Sequence, residues 1–320
     1  MPEPVNLAVE ISGIRFKNPV LTASGTFGYG LEFTRFFDIS RLGGFCTKGL
    51  SLLPRPGNAP GRIFETPSGM LNAIGLENVG VEAFVQDKLP RLEPYETHVI
   101  ANIFGKSIGE FTALTDRLNP CPKVSALELN ISCPNISEGG IEFGHDPDLT
   151  FQVVQAVTRV SAKPVWVKLS PNVTDIGIFA RACQEAGADA VTLVNTFVGM
   201  SVDVHRRRPM ISNVTAGLSG PAIRPLAVRL VHQVAESVEI PVIGIGGIAT
   251  TRDALEFLIA GARAVQLGTA NFSDPLAAPK VIQGLEDYCR SHGIRDINQI
   301  SGSLRTRERP IPSGAAGGGA

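Results

Sequence analysis

The sequence has almost no net charge: 29 Lys and Arg stand against 30 Asp and Glu, a formal balance of -1. Such a chain offers no field for holding a phosphate backbone, which argues against nucleic acid as a partner. It also lacks any apolar run approaching the roughly 20 residues of a membrane span. The opening stretch MPEPVNLAVEIS has neither a basic segment nor an apolar one, so no secretory signal is expected in it. Cys-X-X-Cys pairs are missing too. Cys46, Cys121, Cys133, Cys183 and Cys289 are scattered, a spacing that suits neither zinc nor an iron–sulfur cluster. An odd, dispersed count gives no disulfide framework, so a reducing cytoplasm is the expected setting.

Apolar residues are plentiful: 43 % of 320, enough for one large core. Short apolar runs alternate with helical patterns eight times. The strand candidates are Val20–Ser24, Gly44–Lys48, Val99–Ile103, Ala126–Ile131, Val165–Leu169, Ala190–Asn195, Val242–Gly246 and Ala264–Gly268. Several are apolar on consecutive residues, as parallel strands buried on both faces are. Between them Ile176, Phe179, Ala180 and Cys183 repeat at helical spacing before Gly187, and Ala254, Leu255, Leu258 and Ile259 do so before Gly261. Eight strand–helix units predict a single α/β domain, a (β/α)8 TIM barrel, over residues 1–304. An open doubly wound sheet is the competing arrangement. Ala8–Arg15 reads as an N-terminal hairpin turning near Ser12 and Gly13 and capping the barrel bottom. Residues 305–320, rich in Gly, Pro and Ser, have the composition of a disordered tail.

Connection lengths carry the first functional signal. βα loops usually run about 2–6 residues, yet Gly49–Gly80, Ser132–Pro147 and Thr196–Gly220 are far longer. All three are expected on the C-terminal face, where barrels keep their active sites. After the seventh and eighth strands come GIGGI and LGTA, positions that commonly form a phosphate site. Gly246, Gly247, Gly268 and Thr269 are the expected backbone donors, unless the glycines serve only tight turns. Gly244, Gly246 and Ala249 also match the letter of a dinucleotide fingerprint. No acid follows at the required distance, so that match is rejected.

Polar residues end four of the strands: Lys48, Asn130, Lys168 and Asn195. In VWVKLSPN the flanks imply burial, so Lys168 should serve an anion, the alternative being a lysine that snorkels to solvent. Asn72, Asn102 and Asn135 add further amides, each able to donate and accept. Cys133, in NISCPN just past the fourth strand, stands where a catalytic thiol belongs, or is a small packing residue. Arg206–Arg208 could steer an anion or simply form a solvated loop face.

TKG at Thr47–Gly49, GMLNAIGLEN at Gly69–Asn78, ANIFG at Ala101–Gly105, NISCPN, VKLSPN at Val167–Asn172, GIGGI and LGTAN together resemble the class 1 dihydroorotate dehydrogenases, flavin enzymes of pyrimidine biosynthesis. The likeness covers nearly all of the chain before the tail. Cysteine rather than serine at Cys133 resembles class 1, and GMLNAIGLEN with TAGLSGPAIRPLA at Thr215–Ala227 resembles the 1B catalytic subunit.

The resemblance implies one FMN per chain. Its phosphate would lie at Gly220, Gly246, Gly247, Gly268 and Thr269, and its ring beside Ala23, Ser24, Gly25, Lys48, Gly49, Asn102, Asn130, Lys168 and Val194. It implies a substrate, dihydroorotate, bound by Lys48, Asn72, Asn130, Asn195 and Thr196. The backbone of Ala73, Ile74, Gly75 and Leu76 would take its carboxylate. Cys133 would remove the C5 proton while the C6 hydride passes to flavin N5. It implies a homodimer joined by an electron-transfer subunit into a heterotetramer, that subunit holding FAD and a 2Fe–2S cluster and passing electrons to NAD. Four alternatives stay open. They are a stand-alone 1A enzyme using fumarate, a dihydropyrimidine dehydrogenase subunit, a tRNA dihydrouridine synthase, and a flavin-free lyase or isomerase acting on a phosphorylated metabolite through a Schiff base on Lys168.

Overall fold

A computed structural model describes residues 5–132 and 143–305. Eight parallel strands close into a barrel: β1 (Val20–Thr22), β2 (Gly44–Cys46), β3 (His98–Ile103), β4 (Val124–Asn130), β5 (Val165–Lys168), β6 (Ala190–Leu193), β7 (Val242–Ile245) and β8 (Ala264–Leu267). β8 pairs with β1 through Val265↔Val20, and each strand otherwise pairs with its neighbour in sequence. The closed barrel excludes the open doubly wound sheet. Each of the eight expected strands is present, but most leave the ladder one or two residues sooner than the apolar runs suggested. Ala23, Ser24, Lys48, Asn195, Gly246 and Gly268 lie beyond the strands. Most of these positions are polar or glycine and sit at the barrel's C-terminal rim, and Gly246 leaves the ladder at φ 128°, outside the β region.

Helices pack around the strands, and several are started by a side chain that accepts their first free N–H groups. Asp175 caps Ile176–Glu185 through the Gly177 amide, and Asp146 caps Pro147–Val160. Thr250 and Asp253 form a reciprocal capping box on Thr251–Ile259. The apolar stripes read in the sequence are the buried faces: Phe179, Ala180 and Cys183 in one helix, Ala254, Leu255 and Leu258 in the other. A hairpin of Val9–Ile11 and Ile14–Phe16 turns at Ser12 and Gly13, both at positive φ. It closes the N-terminal end of the barrel. Ser12 Oγ donates to Asp189 O at 3.0 Å, just before β6, and accepts from Trp166 Nε1 of β5 at 3.1 Å.

The long connections after β2 and β6 fold together, which the sequence did not announce. Ile63–Thr66, Gly69–Asn72, Ala216–Ser219 and Phe197–Gly199 form one antiparallel sheet over the C-terminal rim. Leu71, Ala73, Ile211 and Ala216 make its own small apolar core. The third long connection, after β4, includes Cys133 and Asn135, which lie outside the described residues, as does the tail beyond Arg305.

Candidate active site

The barrel interior near the C-terminal end is polar. Glu128 on β4 is fully buried, and its carboxylate reaches across the lumen to Gln266 on the opposite strand β8, whose Nε2 donates at 3.0 Å. Asn102 Nδ2 of β3 donates to the other oxygen at 2.7 Å, and Cys46 Sγ of β2 lies at 3.7 Å. Cys46, Glu128 and Gln266 come from β2, β4 and β8, the alternate strands that normally fill one interior layer with branched apolar side chains. Lys168, only 5 % exposed at the end of β5, sets its Nζ 3.9 Å from the same carboxylate. Lys168 is therefore buried as its flanks implied, not a snorkelling surface lysine. Burial, with the Glu128 charge added, holds the Cys46 thiol well above its ordinary pKa. Asn102 Oδ1 and Gln266 Oε1 are buried and accept nothing among the described residues. A Cβ on Gly49 would stand 3.0 Å from that Asn102 oxygen, so the loop after β2 passes directly over it.

A second constellation lies above β4 and β6. Asn195 Nδ2 donates to Ser132 Oγ at 2.6 Å and approaches Asn130 Oδ1 at 3.4 Å, while Ser132 Oγ donates to Asn130 Oδ1 at 3.1 Å. Asn130, Ser132 and Asn195 thus form one closed amide–hydroxyl set immediately before Cys133 in the chain. The Thr196 amide donates to Asn195 Oδ1 at 2.8 Å, and Thr196 and Asn72 both lie against Gly217 of the accessory sheet: a Cβ on Gly217 would meet Thr196 Oγ1, and Asn72 Nδ2 donates to Gly217 O at 3.3 Å. Lys48 Nζ stands 4.0 Å from Glu77, which is also held by Arg62 at 2.8 Å. In the Ala73–Leu76 turn the Ala73 amide is spent on Arg62 O. The amides of Ile74, Gly75 and Leu76 have no acceptor among the described residues, and Gly75 and Leu76 are at positive φ.

The glycine-rich turns after β7 and β8 meet at a small pocket of about 60 Å³ lined by Gly220, Pro221, Gly247, Ile248, Ala249, Thr269, Ala270 and Ser273. The amides of Gly247, Ile248 and Thr269 have no acceptor among the described residues, whereas those of Ala249 and Thr250 are taken by Asp253 Oδ2. Asp253 is in turn paired with Arg224, which also reaches Glu256 at 3.3 Å. This arrangement fixes the turn and leaves the pocket free of fixed negative charge. Gly247 has φ 74°, and a Cβ there would stand 2.8 Å from both Gly220 O and Arg224 Cβ. Only glycine fits. Thr269 Oγ1 donates to Ser219 Oγ at 2.8 Å, tying this rim to the accessory sheet. Gly268 lies beside Ala23, and Gly246 beside Val194, so the β1 and β6 ends join the same rim.

Lys168 and Gly246, Gly247, Gly268 and Thr269 were read from the sequence. Glu128 and Gln266 were not, although each is a polar residue inside an apolar strand. A polar residue in the middle of an apolar run is a weaker sequence signal than one at a strand end, because many such residues only face a neighbouring loop.

Fold and site define a barrel with an amide-lined glycine turn on one side of its mouth and buried polar side chains on the other. The family model for dihydroorotate dehydrogenase matches residues 6–289, and the chain belongs to that family. A "Dihydroorotate dehydrogenase B (NAD(+)), catalytic subunit" of Geotalea uraniireducens is 54% identical over 301 residues, 94% of this chain and 99% of the relative. Proteins of the same name from Trichlorobacter lovleyi and Geobacter sulfurreducens are each 55% identical and covered to 98%. Among the described residues no helix is long and apolar enough to cross a membrane.

Proposed function

We propose that this chain is the FMN-dependent catalytic subunit that oxidises dihydroorotate to orotate in pyrimidine biosynthesis. The observation carrying the reading is that one barrel mouth holds both an amide-lined glycine pocket and, across it, the buried cation Lys168 beside the orphaned Asn102 oxygen. These fit FMN: unspent amides and glycine suit its phosphate, and an acceptor and a cation suit the two kinds of polar atom on its ring. Gly220, Gly246, Gly247, Gly268 and Thr269 would hold the phosphate. Ala23, Ser24, Gly25, Gly49, Asn102, Lys168 and Val194 would surround the ring. When bound, FMN supplies the acceptor for the hydride from C6 of dihydroorotate.

The protein's own part is orientation and a proton. Asn72, Asn130, Asn195 and Thr196 present amides and a hydroxyl to the ring N–H and C=O groups of the substrate. Lys48 and the unspent amides of Ile74, Gly75 and Leu76 face its carboxylate. Cys133 takes the C5 proton, as a thiolate formed near the operating pH. The family match, not the pocket, argues against a flavin-free lyase or isomerase on a phosphorylated metabolite. In the relatives' name, "catalytic subunit" and NAD(+) point to the 1B arrangement over a stand-alone 1A enzyme. Electrons leave through an electron-transfer subunit that holds FAD and a 2Fe–2S cluster, in a heterotetramer built on a dimer of this chain.

The test is a visible spectrum of the purified chain, followed by dihydroorotate without oxygen. A flavin band that bleaches is expected, with little reduction of NAD by this chain alone. Cys133→Ala should keep the band and lose about 10²–10⁴-fold in bleaching rate. Absence of flavin even after FMN is added back would overturn the reading.

A further inference from the structure

Glu128 is the only glutamate among the described residues that is fully buried, and nothing in the proposed chemistry requires it. A carboxylate inside a barrel costs several kcal/mol of desolvation unless it is paired and hydrogen-bonded. Every neighbour the structure gives it is a donor: Asn102 Nδ2, Gln266 Nε2, Cys46 Sγ and, at 3.9 Å, Lys168 Nζ. Two of these, Asn102 and Lys168, are the side chains proposed to meet the cofactor ring. The carboxylate therefore stands on the interior side of both, and the ring would stand on the other.

Resting on the FMN reading, we infer that Glu128 is a positioning residue and internal counter-charge, which orients Asn102 and shares Lys168 with the cofactor. Asn102 has one amide hydrogen fixed on Glu128 Oε1, so its own oxygen is turned away from the carboxylate and left without a partner. The amide cannot rotate without setting its oxygen against the carboxylate. Lys168 is neutralised by Glu128 when the ring is uncharged. Adding a hydride to a neutral ring leaves one negative charge on it, and the ring then competes with Glu128 for the same ammonium. A fixed anion on the far side of Lys168 makes that added charge less welcome, so it sets the cofactor's reduction potential low. It does so without touching substrate.

The experiment measures the midpoint potential of bound FMN in the holoenzyme and in Glu128→Gln and Glu128→Asp. Gln removes the charge and keeps the length, and Gln266 can accept the new amide hydrogens through its unpartnered oxygen. The potential should rise, with the reduced-to-oxidised ratio at fixed potential up at least tenfold, about 30 mV for a two-electron couple. Asp keeps the charge but draws it back from Asn102, so its potential should stay near the parent's while FMN affinity falls. An unchanged potential in a flavin-replete Glu128→Gln protein would refute the role.

Should Glu128→Gln not fold, the parent holoenzyme labelled with ¹³C-glutamate gives a second readout. Its redox-induced infrared difference spectrum should contain a shifted carboxylate band, and a spectrum without one refutes the role equally. A parent that binds no FMN would instead overturn the functional reading.

Discussion

At one end of the mouth the chain offers backbone: three amides without acceptors, glycines at positive φ, and an acid, Asp253, turned away to hold the loop from behind. At the other end it offers side chains from five strands, Cys46, Asn102, Glu128, Lys168 and Gln266, with a full negative charge at their centre. On the proposed FMN reading, the difference follows from what each end would meet. A phosphate keeps its charge throughout catalysis, and fixed N–H dipoles meet it without a titratable group. A ring whose charge changes during turnover is better met by a cation that is already shared, since the sharing can shift as the ring's charge does. Rigidity suffices for one end, and a balance of charges is needed at the other.

Deleting the cation tests the balance hardest. Lys168→Met leaves the Glu128 carboxylate buried without its counter-charge, and removing one partner of a buried pair costs about 3–5 kcal/mol. The melting temperature of the apoprotein should fall accordingly. Lys168→Met combined with Glu128→Gln should recover most of it, because the layer is then neutral. A double variant no more stable than the single would mean that the two charges are not coupled, and the contrast between the two ends would collapse.

The phosphate end should respond in the opposite sense, in affinity alone. Gly247→Ala forces a side chain into the left-handed region, at about 1–2 kcal/mol, and against Gly220 O and Arg224. Titrating apoprotein with FMN should show affinity down by about tenfold or more. The midpoint potential of whatever FMN remains bound should match the parent's. A shifted potential would show that the backbone end also tunes the ring.

How far the sequence was legible follows the same division. Consecutive apolar residues and helical spacing located all eight strands, because burial on both faces leaves no polar alternation to confuse them. Glycines after β7 and β8 marked the two turns that meet at the amide-lined pocket, since close backbone approach has a residue-level signature. Lys168 stood out by its flanks. Glu128 did not, because its justification is Gln266, 138 residues away and across the lumen. Nor did the accessory sheet show: its strands are three or four residues long, and they pair between loops more than a hundred residues apart, Leu71 with Leu218. Contacts closed only by the barrel leave no local pattern to read.

The smallest effect expected concerns the thiol in the ring-end layer. Cys46 is completely buried beside a carboxylate, so its folded-state pKa lies well above the ordinary 9.0, through desolvation first and Glu128 second. Cys183 is raised by desolvation alone. Below the unfolded-state value both states keep the proton, and the thiols contribute nothing to the pH dependence. Above it the unfolded chain releases protons that the folded chain retains, so stability declines as pH rises toward the folded-state value. Each thiol can add at most about 1.4 kcal/mol per pH unit to that decline. Melting temperatures taken from about pH 8 to about pH 10 should therefore slope downward, and Cys46→Ala should make the slope shallower. Gly247→Ala, which alters only the backbone end, should leave the slope as it is. If Cys46→Ala melts with the parent's slope, the thiol is not held in a charged, desolvated layer, and the ring end loses the feature that most separates it from the phosphate end.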